Sequence, residues 1–334
     1  DCDAKASNGE ICCTANSDGT CDYGEVSDCA DGIKDYEENY VEPFIAALKH
    51  YKGKVPVVII VEPDSLPNLA SNADHPHCGN PATKKAYTTC YKNAVERLAE
   101  ETDASIYLDA AHGGWLGWDD NMRDFLKILD SMSLPLDRVR GFATNVANYQ
   151  SLGHLCPFKA DQGYRNAFCL NGMHKSHKCC ADPCDLLGEY NPGNGELNYA
   201  QDLIKAAKGE MGWDARVVID TGRAGVADMR QSCKNWCNPR GSGAGPRSTT
   251  DVCMPDMVDA YFWLKTPGES DGCTEELPNG DKCKRFDEEC KSENSIGTKK
   301  GEPRVDEAGL WDEFQVKELA ANAHLGDHVA VSVL

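Results

Sequence analysis

Five acidic positions, each at or just past the end of an apolar run, are the residues of this sequence best placed to do chemistry. The stretch Val55 to Leu66, VPVVIIVEPDSL, is β-branched and aliphatic until Glu62-Pro63-Asp64 interrupts it. Proline offers no N–H to a ladder and holds the preceding residue extended, so a strand ends there with Asp64 at its carboxyl end. The run is apolar on both faces, as expected of a strand covered on two sides. SIYLDA places Asp109 in the same way, ARVVIDTG places Asp220, and DAYFWLK leads through TPGESD to Glu269 and Asp271. Acids gathered at one end of several strands predict a carboxylate-rich pocket on one face. Crowding raises the pKa of at least one of them, through like-charge repulsion and partial desolvation. That is the condition for a general acid, and Asp64 is the candidate. A strand-end Asp that caps the next helix is the competing reading, of equal weight for Asp220. Asp64 is followed by Ser, Leu and Pro in what reads as an irregular segment to Asn80, which favours chemistry there.

Tryptophans accompany the acids. Trp115 and Trp118 follow Asp109 and His112 in HGGWLGW, where the glycines imply a loop, and Trp236 lies in NWCN. Trp263, on the last strand, is expected in the core. Indole faces match the apolar faces of pyranose rings, while carboxylates, Asn and Arg fix hydroxyls, so a negative pocket of this kind suggests sugar. Glycoside cleavage needs one protonated carboxyl for the leaving oxygen and a second group to activate water or attack carbon. A net charge of −20 and a pI near 4.8 exclude nucleic acid and an anionic membrane as natural partners.

Strands alternate with helices along the chain. Helical spacing marks Tyr36–Tyr51, Thr83–Glu101, Asp119–Met132, Tyr199–Met211 and Leu310–His324. Between them run strands at Val55–Val61, Ser105–Ala110, Val139–Val146, Ala215–Gly222 and Asp259–Lys265. This alternation predicts parallel strands joined by right-handed crossovers, in an α/β class with the active face at the carboxyl ends. The 334 residues are expected to form a single domain, 1–334, with Cys-rich loops near 11–30, 150–197 and 272–305. Eighteen cysteines predict disulfides and hence a secreted, extracellular protein. No apolar run reaches the ~20 residues of a membrane helix.

The motifs VIIVEPDSLPNL, YLDAAHGGWLGW, GFATNVANY, VVIDTGRAG, NWCN and WLKTPGESDG, in this order, resemble the family 6 glycoside hydrolases. The resemblance runs from Asp1 nearly to His324. It implies a distorted parallel β/α barrel and a secreted cellulase that cleaves β-1,4-glucan with inversion, without cofactor or metal, as a monomer acting on cellulose and cello-oligosaccharides. It implies Asp64 as proton donor, Asp1 as the acid that raises the donor's pKa, Ser7 as the residue holding the water, and Asp271 as the acid often proposed as base. It also implies sugar-contacting or site-ordering roles for Asp109, His112, Trp115, Trp118, Asn145, Arg223, Trp236, Lys265 and Glu269, and the disulfides Cys2–Cys78 and Cys237–Cys290. The long segment from Asp271 to Trp311 is similar to that of exo-acting members, so cellobiose release from non-reducing ends is expected, with an endo-β-1,4-glucanase as the alternative. Ala111 stands where the family usually has Gly. The first residue matches a point well inside the family's domain. The sequence is therefore expected to be N-terminally incomplete, lacking the first barrel strands and a tyrosine and a tryptophan of the site.

Three other readings compete. HKSHKCCADPC, His174 to Cys184, has the spacing of a metal cluster, although disulfides are favoured in so Cys-rich a chain. Asp109 and His112 could serve a metal-dependent hydrolase but lack a clear third ligand. A non-catalytic glucan-binding protein would keep the tryptophans without needing three carboxyls.

Overall fold

The computed structural model describes residues 11–12, 14–15, 21–22, 29–76, 78–156, 165–170 and 174–326. Asp1, Cys2 and Ser7 lie outside them. Two short strands, β1 (Thr14–Ala15) and β2 (Cys21–Asp22), pair antiparallel within the loop closed by the Cys12–Cys29 disulfide. Next, α1 (Ala30–Asp35) passes through a π-helical stretch, Tyr36–Val41, into α2 (Glu42–Tyr51).

Five strands then form one all-parallel sheet in sequence order: β3 (Val58–Val61), β4 (Ser105–Asp109), β5 (Val139–Thr144), β6 (Arg216–Asp220) and β7 (Val258–Phe262). Parallel neighbours require crossovers. The β6–β7 crossover holds no helix among the described residues, and helices supply the other three. They are α3 (Ser65–Ser71) with α4 (Pro81–Glu101), α5 (Gly113–Leu116) with α6 (Asp119–Ser131), and α7 (Arg165–Leu170) with α8 (Glu196–Met211); α9 (Glu313–Ala321) follows the last strand. Asn80 caps α4 by accepting from the Thr83 N–H, with Pro81 opening the helix. Along α6, Met122, Phe125, Leu126 and Leu129 recur at helical spacing and are buried.

Side chains alternate across the sheet as its period of two requires. Ile106 and Leu108, Phe142, and Val217 and Ile219 join the large core under the helices, with Val95 and Leu98 of α4 and Leu203 of α8. Tyr107, Ala143, Val218 and Ala260 point the other way into a small second cluster. Both faces of the middle strands are therefore covered, which is why they read as nearly unbroken apolar runs. The expectation of two covered faces fails for β3. It is an edge strand among the described residues, and Val58 is 43% exposed.

Three segments expected to be irregular contain structure. The HGGWLGW stretch, expected as a loop, forms the short helix α5 over Gly113–Leu116. Residues 65–71 form α3, because Pro67 falls in the first turn, where its missing N–H has no helical partner to lose. The 150–197 segment holds α7 and 3-10 turns at Lys178–Cys180 and Leu187–Glu189. Its cysteines are bridged as Cys156–Cys179, Cys169–Cys180 and Cys184–Cys233, so the metal reading of His174–Cys184 gives way to disulfides. Cys237–Cys290 and Cys273–Cys283 brace the 272–305 loop. Cys78 is disulfide-bonded and buried. Among the described residues no helix is long and apolar enough to cross a membrane.

Candidate active site

Beyond the carboxyl ends of the strands the chain bends sharply. Among the described residues, five of the ten non-glycine residues with positive φ lie there: Glu62, Asp64, Ala111, Asn145 and Ala147. Such strain persists only where surrounding structure holds it, and it concentrates at functional sites. The bends surround a cavity of about 680 Å³. Asp64, His112, Trp115, Trp118, Trp236, Lys265 and Asp271 line it, and so do Asn148, Lys234 and Glu289.

Asp64 ends an elbow that holds two left-handed residues. Its own φ is 67° and that of Glu62 is 43°. Tyr36, from the π-helical stretch, donates its hydroxyl to Glu62 at 2.8 Å, while the Asp64 N–H donates to Asp109 Oδ2 at 3.0 Å. Asp64 occupies the N-cap position of α3, yet its side chain makes no capping bond. The carboxyl of Asp64 is half-buried at the cavity wall. Asp109 lies behind it, almost fully buried, and also accepts from the Ala111 N–H at 3.3 Å. Burial, then the charge of Asp64, pushes the Asp109 carboxyl well above the usual carboxylate range.

Asp271 is built differently. Arg223 Nη1 lies 2.6 Å from Oδ1 and Lys265 Nζ lies 3.5 Å from it. Oδ2 accepts from the Tyr149 hydroxyl at 2.6 Å and from the Asn238 N–H at 3.0 Å. Burial alone would raise its pKa; Arg223, Lys265 and Tyr149 outweigh it and hold Asp271 below the usual range. Arg223 is itself buried against the Tyr149 ring, 4.0 Å from its centroid, and donates to the Ala147 carbonyl. The site thus holds carboxyls in opposed environments, a neutral-leaning Asp109 under Asp64 and an ionised Asp271 across from them.

The acids do not all reach the cavity. Asp220 is buried beneath its floor, where its two oxygens accept main-chain N–H groups of Gly222, Ala147, Leu264 and Lys265 at 2.9 to 3.3 Å. Those donors belong to loops after β5, β6 and β7, so Asp220 ties loops together and does not cap a helix. Burial raises its pKa, with the N–H groups opposing. Glu269 is not among the residues that line the cavity; its main chain pairs with Trp311. Asn145 is buried with φ 60°, its amide bonded to the Gln150 and Asp220 carbonyls at 2.9 Å, and it orders the loop from behind. Trp263 is only partly buried, donating to the Pro246 carbonyl at 2.8 Å.

Of the tryptophans that line the cavity, Trp115 donates to Ser71 Oγ and Trp118 to the Glu189 carbonyl, both at 3.0 Å. His112 is buried, and desolvation, then Arg230, pulls its pKa down to about 3. Sequence reasoning missed Tyr149, Asn238, Arg230 and Glu196. Tyr149 was within reach, since it ends the motif GFATNVANY. Glu196 opens α8, accepts from the Gly113 N–H at 2.9 Å, and is pushed up to about 7 by burial.

The sequence matches the model of Glycosyl hydrolases family 6 over residues 1–323. Exoglucanase 3 of Agaricus bisporus is 31% identical over 305 residues, 90% of this chain and 59% of that protein. The probable 1,4-beta-D-glucan cellobiohydrolase C of Aspergillus clavatus is 32% identical over 329 residues, 97% of this chain and 58% of that protein. The chain thus spans under three fifths of the length of these curated relatives. Among solved structures, the CcCel6A catalytic domain complexed with p-nitrophenyl beta-D-cellotrioside superposes with TM-score 0.70 at 29% identity, covering 97% of this chain and 74% of that one. CcCel6C of Coprinopsis cinerea, a glycoside hydrolase family 6 enzyme, gives 0.67 at 30% identity, covering 94% and 74%. By sequence and by fold, with its distorted parallel α/β barrel architecture, this chain belongs to family 6 of the glycosyl hydrolases.

Proposed function

We propose that the protein is a secreted cellulase that hydrolyses β-1,4-glucosidic bonds with inversion, with Asp64 as the proton donor. The observation that carries this reading is the placement of Asp64 on a strained elbow at the wall of a cavity that also presents three indoles and the ionised Asp271. In the proposed reaction Asp64 protonates the leaving oxygen, and the rings of Trp115, Trp118 and Trp236 bind glucosyl units. Asp1 supports the protonated form of Asp64, and Ser7 holds the attacking water. Asp271 already accepts three hydrogen bonds and is paired with Lys265, which makes it a weak base. It acts as fixed negative charge facing the developing oxocarbenium ion and takes the water's proton through an intervening water.

Exo action, with cellobiose leaving from non-reducing chain ends, is supported by Glu289 and Ala308. Both bring the long segment after Asp271 into the cavity wall. Rapid thinning of a soluble cellulose derivative with little sugar release would favour the endoglucanase instead.

NMR of the first product released from cellotetraose tests the mechanism. The α-anomer is expected, and a β-anomer would remove inversion. Asp64→Ala separates an enzyme from a glucan-binding protein. Hydrolysis is expected to fall by about 10²–10⁴-fold, the usual range for a general acid, while cello-oligosaccharide binding persists. A wild type with no activity to lose would leave only binding.

A further inference from the structure

The cavity wall facing Trp118 comes from two separate stretches. Cys184, Leu186 and Glu189 belong to the 150–197 segment; Cys233 and Lys234 belong to the loop that leads to Trp236. Among the described residues a single disulfide joins the two stretches, Cys184–Cys233, which spans 49 residues of sequence and lies in the lining itself. It is neither of the pairs implied by the family resemblance.

Hydrogen bonds hold this wall on both sides. The Asp182 carboxylate accepts from the N–H groups of Leu186 and Leu187 at 2.9 and 2.7 Å, fixing the turn before Glu189. Asn191 donates to the Gly113 carbonyl at 2.8 Å, holding the far end of the segment against the α5 turn. On the other side Arg230, buried, donates to Asn148 Oδ1 at 3.2 Å and to the Cys233 carbonyl at 3.4 Å. Gln150 Nε2 lies 3.2 Å from Cys233 Sγ. The wall in turn fixes the aromatic platform, since the Trp118 indole N–H is bonded to the Glu189 carbonyl. Cys237–Cys290 continues the linkage to the stretch carrying Glu289, so three stretches of lining are covalently continuous.

We propose that the Cys184–Cys233 bridge is a specificity-determining latch, clamping the 182–189 wall beside Trp118 so that the cavity admits a single unsubstituted glucan chain and rejects glucans bearing side groups. This rests on the glucan reading given above. A wall tied at both ends cannot swing aside for a branch, so a substituted chain meets a clash that a plain chain does not.

The test compares the wild type with the double variant Cys184→Ser/Cys233→Ser. The measured quantity is the ratio of kcat/KM on carboxymethylcellulose to kcat/KM on cellohexaose. The latch predicts a rise of about tenfold in that ratio, within the range a single steric element commands. A cooperatively folded variant with the wild-type ratio overturns it. Should the variant fail to fold, limited reduction of the wild type with iodoacetamide trapping and mass spectrometry decides. Saturating cellohexaose is expected to slow trapping at Cys184 and Cys233 by about fivefold relative to Cys12 and Cys29, which line no part of the cavity. Equal rates overturn the proposal. A wild type that is protected by cellohexaose but cleaves nothing would sink the hydrolase reading and leave the latch standing. Cleavage without protection would sink the latch alone.

Discussion

The main-chain N–H of Asp64 donates to the carboxylate of Asp109 3.0 Å away, so the acid ending one strand holds the elbow that ends its neighbour. Asp109 therefore acts on Asp64 as a positioning residue. Its second oxygen, Oδ1, is buried without a hydrogen-bond partner among the described residues. Asp109→Asn keeps an oxygen for the Asp64 N–H, whereas Asp109→Ala leaves that donor unsatisfied at a cost of about 1–3 kcal/mol. The alanine variant is expected to lose about 5- to 150-fold more kcat than the asparagine variant, if the whole of that energy falls on the transition state.

The same pair carries a pH signature. Burial and the Asp64 charge raise the Asp109 pKa, so the folded state holds a proton that the unfolded chain releases near its ordinary value of about 3.9. A raised pKa contributes stability that is fully present below that value and is lost as pH rises toward the folded pKa. Asp109→Asn removes this loss. Its melting temperature relative to wild type is expected to improve between about pH 4 and pH 7. A difference that stays flat would show that Asp109 titrates normally.

Much of this architecture is legible in the sequence. All five sheet strands coincide with largely apolar runs ended by a turn-favouring residue, Asn145 for β5 and Pro, Gly or Asp for the others, because burial on two faces leaves little room for polar side chains. The exception, β3, kept its apolar run although it is an edge strand among the described residues and Val58 is exposed, so composition alone overstated its burial. The convergence of acids at one sheet end was also readable, but their division of labour was not. Asp220 and Asp109 differ from Asp64 in facing main-chain N–H groups beneath the cavity, and only three-dimensional placement distinguishes a loop tie from a wall residue. Sequence offers no rule for the disulfide partners outside the family's pairs, above all Cys184–Cys233, which joins positions 49 apart.

Two adjacent alanines should respond oppositely to glycine. Ala111 has φ 49°, in the left-handed region, where a Cβ costs roughly 1–2 kcal/mol. Removing its buried methyl forfeits about 0.8 kcal/mol, so Ala111→Gly is expected to stabilise by about 0.5 kcal/mol. Ala110 does not share that conformation, and Ala110→Gly is expected to destabilise by about 1 kcal/mol. Chemical denaturation midpoints of the two variants give both signs.

Arg223 is the principal counter-charge of Asp271, and both are buried. Arg223→Met leaves the carboxylate with Lys265 alone as a cation. At neutral pH this is expected to cost about 3 kcal/mol, as breaking a buried pair does. The paired Asp271 has a depressed pKa, so it contributes stability present above the unfolded value and lost as pH falls through the folded one. The penalty of Arg223→Met should therefore shrink in acid, where Asp271 in the variant takes up a proton. Urea denaturation at about pH 7 and pH 3.5 measures it, and an equal penalty at both would remove the electrostatic account.

His112 separates burial from charge as causes of one shift. Its imidazole lines the cavity but is desolvated, and Arg230 adds a second, smaller push toward the neutral form, giving about 3. The histidine is thus uncharged through the range in which Asp64 would work, able to accept or donate one hydrogen bond but not to supply a cation to substrate. For a base with a depressed pKa, stability is complete above the unfolded value near 6.5 and declines as pH falls toward 3. His112→Gln should flatten that decline in melting temperature. Arg230→Gln should leave the burial intact and raise the His112 pKa toward its ordinary value, read from imidazole NMR shifts. A His112 titration identical in wild type and Arg230→Gln would assign the whole shift to burial and remove Arg230 from the electrostatics of the cavity.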